Sequence, residues 1–539
     1  MTKKGKIQVS LISKFSDAAW KDHSRSKDLF LLRRGRKNNQ NGGGQDVRQP
    51  SYSTSQLIGL FLGPLAFLAL MFLVPLEGLS GEGKAVLAFA AWLAIWWILE
   101  AMPLGITSLL PLVMMPVVTS ITSAEVASAF GDPLIFLFLG GFAIALAMEK
   151  WNLHERIALT IISVVGTSLS GLILGFALAT GFLSMWVSNM ATIMLMIPIG
   201  TAIIAKVVEL MKEDGVHTAE EEIKFTKSII FAIGFGGTIG GSATLIGTPT
   251  NLILASMAGE LLGYEIPFGT FLIFAFPLTL ILMAGFIFYL TKIAYPMKVK
   301  TISKGRELVE ERKSLLGKMS YEEKVVMAIF TFTAFMWLTR TFIWTDIIPG
   351  INDTMIAMIS AMLLFLIPSK NKEGGRILES DALTKMPWGV LLLVGGGLAL
   401  AVGFTGTDLA DWMGGQLMNL ENAPLVFIIA VSALLGILMT QMAPNTATVT
   451  ILLPITAALA TAINVNPLPI MTATAMGAGF AFMLPIGTPS NALIYATGKI
   501  TIVDMLRKGT WLTILSVILI VVFTYYVLPF IFNIDKFAA

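Results

Sequence analysis

From about residue 55 onward the chain alternates long apolar runs with short polar segments. Leu57 to Pro75, Ala85 to Leu99 and Trp511 to Phe532 carry no charge. Each is close to the roughly 20 residues that an α-helix needs to cross about 30 Å of hydrocarbon. The pattern predicts eleven spans, near 55–75, 84–100, 103–118, 133–150, 228–258, 266–295, 325–341, 353–368, 387–404, 468–497 and 509–533. Two further apolar stretches, about 157–205 and 423–462, are too long for one crossing and are interrupted by polar residues. Read as re-entrant hairpins that enter and leave on one side, they place the N-terminus inside and the C-terminus outside.

Charge tests that arrangement. The predicted outer loops 76–82, 119–132, 259–267, 342–353 and 405–422 hold eleven acids and no Lys or Arg. The inner loops 296–324 and 369–386 are rich in Lys and Arg, and Arg507-Lys508 fall on the same side. Cytoplasmic loops carry such a basic excess, and counting either hairpin as a full span scrambles the asymmetry. The expected fold is therefore an all-α polytopic membrane protein, multi-pass in the plasma membrane. It has about 11 transmembrane helices plus two re-entrant hairpins.

Composition agrees. Of 539 residues, 55% are hydrophobic and only 13% charged, and the mean hydropathy is +0.79. Soluble domains carry about 25% charge. Cysteine is absent, which excludes disulfides, thiol nucleophiles and cysteine metal sites. His23, His154 and His217 lie far apart in polar stretches and read as loop residues. Gly78-Leu79-Ser80-Gly81-Glu82-Gly83-Lys84 has P-loop spacing, but Ala85 stands where Ser or Thr would hold magnesium and no strand precedes it. The first 50 residues carry a net charge of +8 and end in a low-complexity linker. They read as a cytoplasmic leader beside the first span rather than as a nucleic-acid arm. The expected organisation is a leader over 1–54, a first transmembrane half over 55–320 and a second over 321–539.

The two halves repeat. Gly140-Gly141-Phe142-Ala143-Ile144-Ala145 matches Gly396-Gly397-Leu398-Ala399-Leu400-Ala401 at a shift of 256 residues. At the same shift Asn189-Met190-Ala191-Thr192 with Pro198-Ile199 matches Asn445-Thr446-Ala447-Thr448 with Pro454-Ile455. Gly247-Thr248-Pro249-Thr250-Asn251 matches Gly487-Thr488-Pro489-Ser490-Asn491 at a shift of 240. The first hairpin enters from inside and the second from outside, so the copies are inverted, as in many secondary transporters. Broken helix within a membrane is tolerated only where protein buries it or it lines a cavity. The hairpin tips and the two Gly-Thr-Pro breaks are therefore expected to converge near mid-membrane. Their free peptide N–H groups suit an anion and their carbonyls a hard cation. Gly236, Gly237, Gly240 and Gly241, spaced as overlapping G-x-x-x-G, instead predict close helix packing. Glu100 and Arg340 are expected at the interface. The blocks hold only neutral oxygen donors, with neither a nucleophile and base nor a metal cluster, so an enzyme is not expected.

These blocks resemble the divalent-anion/sodium symporter family, whose members carry dicarboxylates, citrate or sulfate. The resemblance runs from about residue 55 to the end. The family signature is Ser-Asn-Thr at each tip, then Ala-Thr and Pro-Ile, with a Gly-Thr-Pro break in each half. Here the tips read Ser188-Asn189-Met190-Ala191-Thr192 and Pro444-Asn445-Thr446-Ala447-Thr448, so Met190 replaces Thr and Pro444 replaces Ser. Carried over by position, the resemblance implies two sodium sites. One uses Ser184, Ser188, Asn189 and the carbonyl of Gly247. The other uses Thr440, the carbonyl of Ala443, Asn445 and the carbonyl of Gly487. Substrate carboxylates would lie against Asn189, Asn445, Thr446, Thr248, Pro249, Thr488 and Pro489. The implied protein is a homodimer working by an elevator-type mechanism in the lipid bilayer. Its expected activity is sodium-coupled symport of C4-dicarboxylates such as succinate, fumarate and malate. The alternative is a sodium-independent dicarboxylate exchanger or a carrier of sulfate or another divalent anion. The blocks contain no Lys, Arg or His, so bound sodium would supply the positive charge that a dianion needs.

Overall fold

Serine, threonine and asparagine caps open most of the long helices. The Ser53, Ser80, Ser168, Thr218, Ser320, Asn352 and Thr501 side chains each accept a hydrogen bond from a peptide N–H in the first turn, which satisfies donors that a helix start would otherwise leave bare. The computed structural model describes residues 52–166, 168–299, 310–311, 313–371, 375–417 and 423–537. The predicted basic leader lies almost wholly outside them. No strand occurs among the described residues beyond an isolated bridge between Pro368 and Arg376.

Three helices come first, α1 (Thr54–Phe72), α2 (Gly81–Ile98) and α3 (Leu104–Val118). They are followed by α4 (Pro133–Lys150) and α5 (Leu153–Val165). The first hairpin is α6 (Leu169–Ser184) with α7 (Asn189–Glu213). A broken helix follows, α8 (Ala219–Gly241) and α9 (Pro249–Leu262), and then α10 (Phe268–Phe288). Next come α11 (Tyr321–Thr339) and α12 (Asp353–Leu366), then α13 (Trp388–Thr405) and α14 (Leu409–Leu417). The second hairpin is α15 (Leu425–Thr440) with α16 (Asn445–Ala462). The second broken helix is α17 (Pro467–Gly479) with α18 (Pro489–Ala496), and α19 (Ile502–Val522) ends the fold. Nine helices among the described residues are long and apolar enough to cross a membrane.

The order α4, hairpin, broken helix, α10 recurs as α13, hairpin, broken helix, α19, as the repeat requires. The sequence reading differs from the structure at 157–205. Residues 153–165 form a separate helix, closed by Gly166 at φ +122°, a conformation that only glycine adopts without strain. The first hairpin proper is therefore α6–α7. Arg340, expected at the interface, is paired within the protein. It is 6% exposed, 2.8 Å from the Asp353 carboxylate and 2.9 Å from that of Glu265. Asp353 Oδ2 in turn accepts from Phe268 N–H at 2.7 Å.

The loops sort by charge. At one end Asp408 accepts from the Ser80 hydroxyl and N–H, Ser120 donates to Glu82, and Trp412 donates to the Glu77 carbonyl. The Ser80 hydroxyl, with its N–H second, holds the Asp408 carboxyl below the usual carboxylate range. At another end Arg156 pairs with Glu323 and reaches the carbonyls of Leu316 and Gly317, while Lys150 and Trp151 contact the backbone of Arg376 and Ile377.

Glycine sets the closest approach. α6 packs along α8 and α15 along α17. A Cβ on Gly240 would collide with the backbone of Gly181, and one on Gly236 would come within 2.9 Å of the Ala177 carbonyl. The expected packing role holds for both positions. Each broken helix then crosses to the opposite half, α9 packing on α16 and α17, and α18 on α7 and α8. That exchange draws both hairpin tips and both breaks into one region.

Candidate substrate and cation site

The first tip is a four-residue turn. α6 ends at the fully buried Ser184, and α7 starts at Asn189 after Ser188, whose hydroxyl accepts from Ala191 N–H at 3.4 Å. The second tip has the same backbone with a different residue. Ser188 sits at φ −54°, ψ 143°, and Pro444 at φ −56°, ψ 137°. Proline fixes φ near −65°, so the turn survives and only the side-chain cap is lost.

Both tips carry the same polar pair. Ser184 Oγ donates to Asn189 Oδ1 at 2.5 Å, and Thr440 Oγ1 donates to Asn445 Oδ1 at 2.6 Å. Ser184 and Thr440 are fully buried. Two oxygens that close face each other across each tip, one able to turn its proton away.

The breaks complete the arrangement. Thr248 and Thr488 are extended, at φ −140° and −143°, and Pro249 and Pro489 restart the helices. Proline at the first helical position loses no intrahelical bond. Gly247 lies against the first tip, where a Cβ would come within 2.9 Å of the Ser184 carbonyl and collide with that of Gly241. Gly487 lies against the second, where a Cβ would be 3.3 Å from the Thr440 carbonyl. Gly241 also has no room for a side chain, because Asn189 Oδ1 fills that space. The structure thus gathers Ser184, Ser188, Asn189 and Gly247 at one place, and Thr440, Asn445 and Gly487 at the equivalent place. Ala443 is buried in the second tip, its N–H donating to the Met439 carbonyl at 3.0 Å. Asn189, Met190, Asn445 and Thr446 are half-buried on the first turns of α7 and α16, Thr248 and Thr488 are buried, and Pro489 is exposed.

Helix polarity divides the labour. α6 and α8 end at the first tip and break, α15 and α17 at the second, so carbonyl-rich C-termini pair at each. α7, α9, α16 and α18 all begin in the same region. A helix N-terminus carries about half a positive charge and a C-terminus about half a negative one. Four N-termini suit a doubly charged anion. Paired C-termini with neutral hydroxyl and amide oxygens suit a hard monovalent cation.

Several residues in this region were not assigned a role by sequence reasoning. Asn251 Nδ2 donates to the carbonyls of Ser242 and Thr244 at 3.0 and 2.9 Å, and Asn491 Nδ2 to those of Ala481 and Leu484 at 2.7 and 3.0 Å. These amides clamp the two breaks in parallel, sharing the equivalent carbonyls of Thr244 and Leu484 and differing by one position at Ser242 and Ala481. Their Oδ1 atoms are buried without a protein donor, as are the hydroxyls of Thr192 and Thr448. Both asparagines lie inside the repeated blocks, so the repeat itself was the signal. Gln441, 4% exposed, accepts from Met483 and Leu484 N–H at 3.1 and 3.3 Å. Its counterpart in the first half is the apolar Met185, so it left no signal in the repeat.

The family model described as the sodium:sulfate symporter transmembrane region matches residues 55–532. The chain belongs to this family. The resemblance drawn from the tips and breaks therefore holds over nearly the whole chain beyond the leader. Among relatives of the symporter, a sodium-dependent dicarboxylate transporter of Staphylococcus saprophyticus is 46% identical over 490 residues, covering 90% of this chain and 94% of the relative. A protein of the same description from Staphylococcus aureus is 44% identical over 492 residues, with the same coverage. The YdaH transporter of Alcanivorax borkumensis, a crystal structure, shares the fold at TM-score 0.52 and 13% identity, over 83% of this chain and 98% of that one. The protein is a multi-pass membrane transporter and not an enzyme.

Proposed function

We propose that this symporter couples inward movement of sodium to uptake of C4-dicarboxylate dianions such as succinate, fumarate and malate. The observation that carries this reading is the matched pair of buried hydroxyl–asparagine contacts, Ser184 with Asn189 and Thr440 with Asn445. Each is backed by two helix C-termini and faces helix N-termini of the other half. Sodium bound at Ser184, Ser188, Asn189 and the Gly247 carbonyl, and at Thr440, the Ala443 and Gly487 carbonyls and Asn445, fixes both asparagines. Their remaining amide edges, with Thr446, Thr248, Thr488 and the turns at Pro249 and Pro489, then hold the two carboxylates. Cation binding precedes anion binding because the blocks hold no basic side chain of their own. The relatives described as sodium-dependent dicarboxylate transporters support both ligands.

Eleven crossings with the N-terminus inside follow from the acid-only loops, and two of these loops meet at one end where Ser80 binds Asp408. The hairpins and broken helices form the moving unit of an elevator. The working assembly is a homodimer, which light scattering of the detergent-purified protein measures. Competition against labelled succinate uptake in proteoliposomes tests the substrate class. Fumarate and malate compete and sulfate does not. Competition by sulfate alone transfers the reading to an inorganic divalent anion carrier.

A further inference from the structure

Each cation site of the proposed function is made from two separate segments, a hairpin tip and a helix break. Something must hold the two together at the right spacing. In the first half that strut runs from break to tip. Thr244 Oγ1 donates to the Met185 carbonyl at 2.5 Å and accepts from Gly247 N–H at 2.9 Å. One hydroxyl thereby fixes Gly247, whose carbonyl belongs to the site, against the residue that follows Ser184.

In the second half the equivalent of Thr244 is Leu484, which has no hydroxyl, and Gly487 N–H turns to the Leu484 carbonyl at 3.2 Å. The equivalent of Met185 is Gln441. Its amide runs in the opposite direction, from tip to break. Nε2 is anchored on the Ile437 carbonyl at 3.1 Å, and Oε1 receives Met483 and Leu484 N–H. A Cβ on Gly487 would lie 3.4 Å from that same Oε1. The two halves keep the same strut and exchange which segment supplies it. Thr244 with Met185 does in one half what Gln441 with Leu484 does in the other.

We propose that Gln441 and Thr244 are the positioning residues of the two sodium sites, each holding a tip and its break at cation-coordinating distance before the ion arrives. The inference rests on the sodium-coupled reading and goes beyond it, because neither side chain is among the ligands. The physical reason is preorganisation. When the competent arrangement is only a fraction of the ensemble, apparent affinity falls by that fraction. Removing the strut lets tip and break drift apart, and the ion must then draw them together.

The test is sodium-dependent thermal stabilisation of the detergent-purified full chain without substrate. Sodium chloride replaces choline chloride at constant ionic strength, and the midpoint of the stabilisation is read. Gln441→Met installs the first-half residue in the second half and raises the midpoint about tenfold. Adding Leu484→Thr rebuilds the first-half strut in the second half and brings the midpoint back to within about threefold of wild type. Gln441→Glu keeps the acceptor for Met483 and Leu484 N–H, and its midpoint does not rise. Thr244→Val, in the other half, raises the midpoint about tenfold independently of how well Gln441→Met folds. A wild type that sodium does not stabilise overturns the sodium-coupled reading, and the struts with it. A wild type that sodium stabilises, with Gln441→Met or Thr244→Val melting lower at an unchanged midpoint, overturns the struts alone. Failure of Leu484→Thr to restore the Gln441→Met midpoint also overturns them.

Discussion

Thr440→Val separates a cation ligand from a brace of the hairpin tip. Valine keeps the shape of threonine and replaces the hydroxyl with a methyl group, at a position that is 0% exposed. Without sodium, the loss is the 2.6 Å bond to Asn445 Oδ1, a neutral hydrogen bond with a net value of about 0.5–1.5 kcal/mol. With sodium bound, the loss is a contact to a charged group, about 1.5–3 kcal/mol. Only the difference weakens sodium binding, about 1–2 kcal/mol, or roughly 5- to 30-fold in affinity. Stabilisation by a ligand that binds only the folded state grows as RT ln(1 + [L]/Kd). A sodium titration of melting temperature therefore reads the affinity change separately from the loss of baseline stability. The expected result is a modestly lower sodium-free melting temperature and a midpoint 5- to 30-fold higher. Ser184→Ala at the first tip behaves in parallel. A Thr440→Val protein with the lower baseline and an unchanged midpoint refutes the cation role of this hydroxyl.

Other perturbations address the anion, the packing and the topology. Thr446→Val removes a donor to a carboxylate and weakens apparent succinate affinity roughly 10- to 100-fold; in substrate-free titrations its sodium midpoint stays that of wild type. Gly240→Ala forces a Cβ into the backbone of Gly181 and lowers stability by about 1–3 kcal/mol, seen as a lower melting temperature with or without sodium. In this cysteine-free chain, Gly350→Cys labels with an impermeant thiol reagent on right-side-out vesicles and Glu310→Cys does not; labelling of both, or of 310 only, refutes the eleven-span arrangement. Succinate uptake at fixed total concentration falls as pH drops below the ligand's second pKa; a rate that follows the monoanion contradicts recognition of the dianion.

Hydropathy and the repeat made most of the architecture legible, because lipid demands apolar runs and because proline and glycine in such runs mark breaks. Pro249 and Pro489 stand at the first residues of α9 and α18, and the two hairpins turn at Ser188 and Pro444. The pairing of Ser184 with Asn189 needed no tertiary information, since five residues across a tight turn bring the two side chains together. Gln441 was not legible. Within an apolar stretch its amide reads as one polar residue on a helix, and its partners, 42 and 43 residues away in the sequence, are backbone groups with no signature. The ion pairs of Arg340 are hidden in the sequence for a related reason. Its position at a span end suggests an interface, while its burial depends on Glu265 and Asp353 arriving from two other segments. The separate helix α5 is not apparent in hydropathy because its apolar face joins smoothly to that of α6; the structure closes α5 at Gly166.

The central claim is that sodium drives the dicarboxylate against its own gradient. Proteoliposomes containing the purified protein, with equal succinate inside and outside, are given an inward gradient of sodium, potassium or lithium, and internal labelled succinate is followed. Accumulation above the external concentration with sodium and not with potassium is the predicted result. Simple equilibration of label to the external level, whichever cation is used, contradicts it.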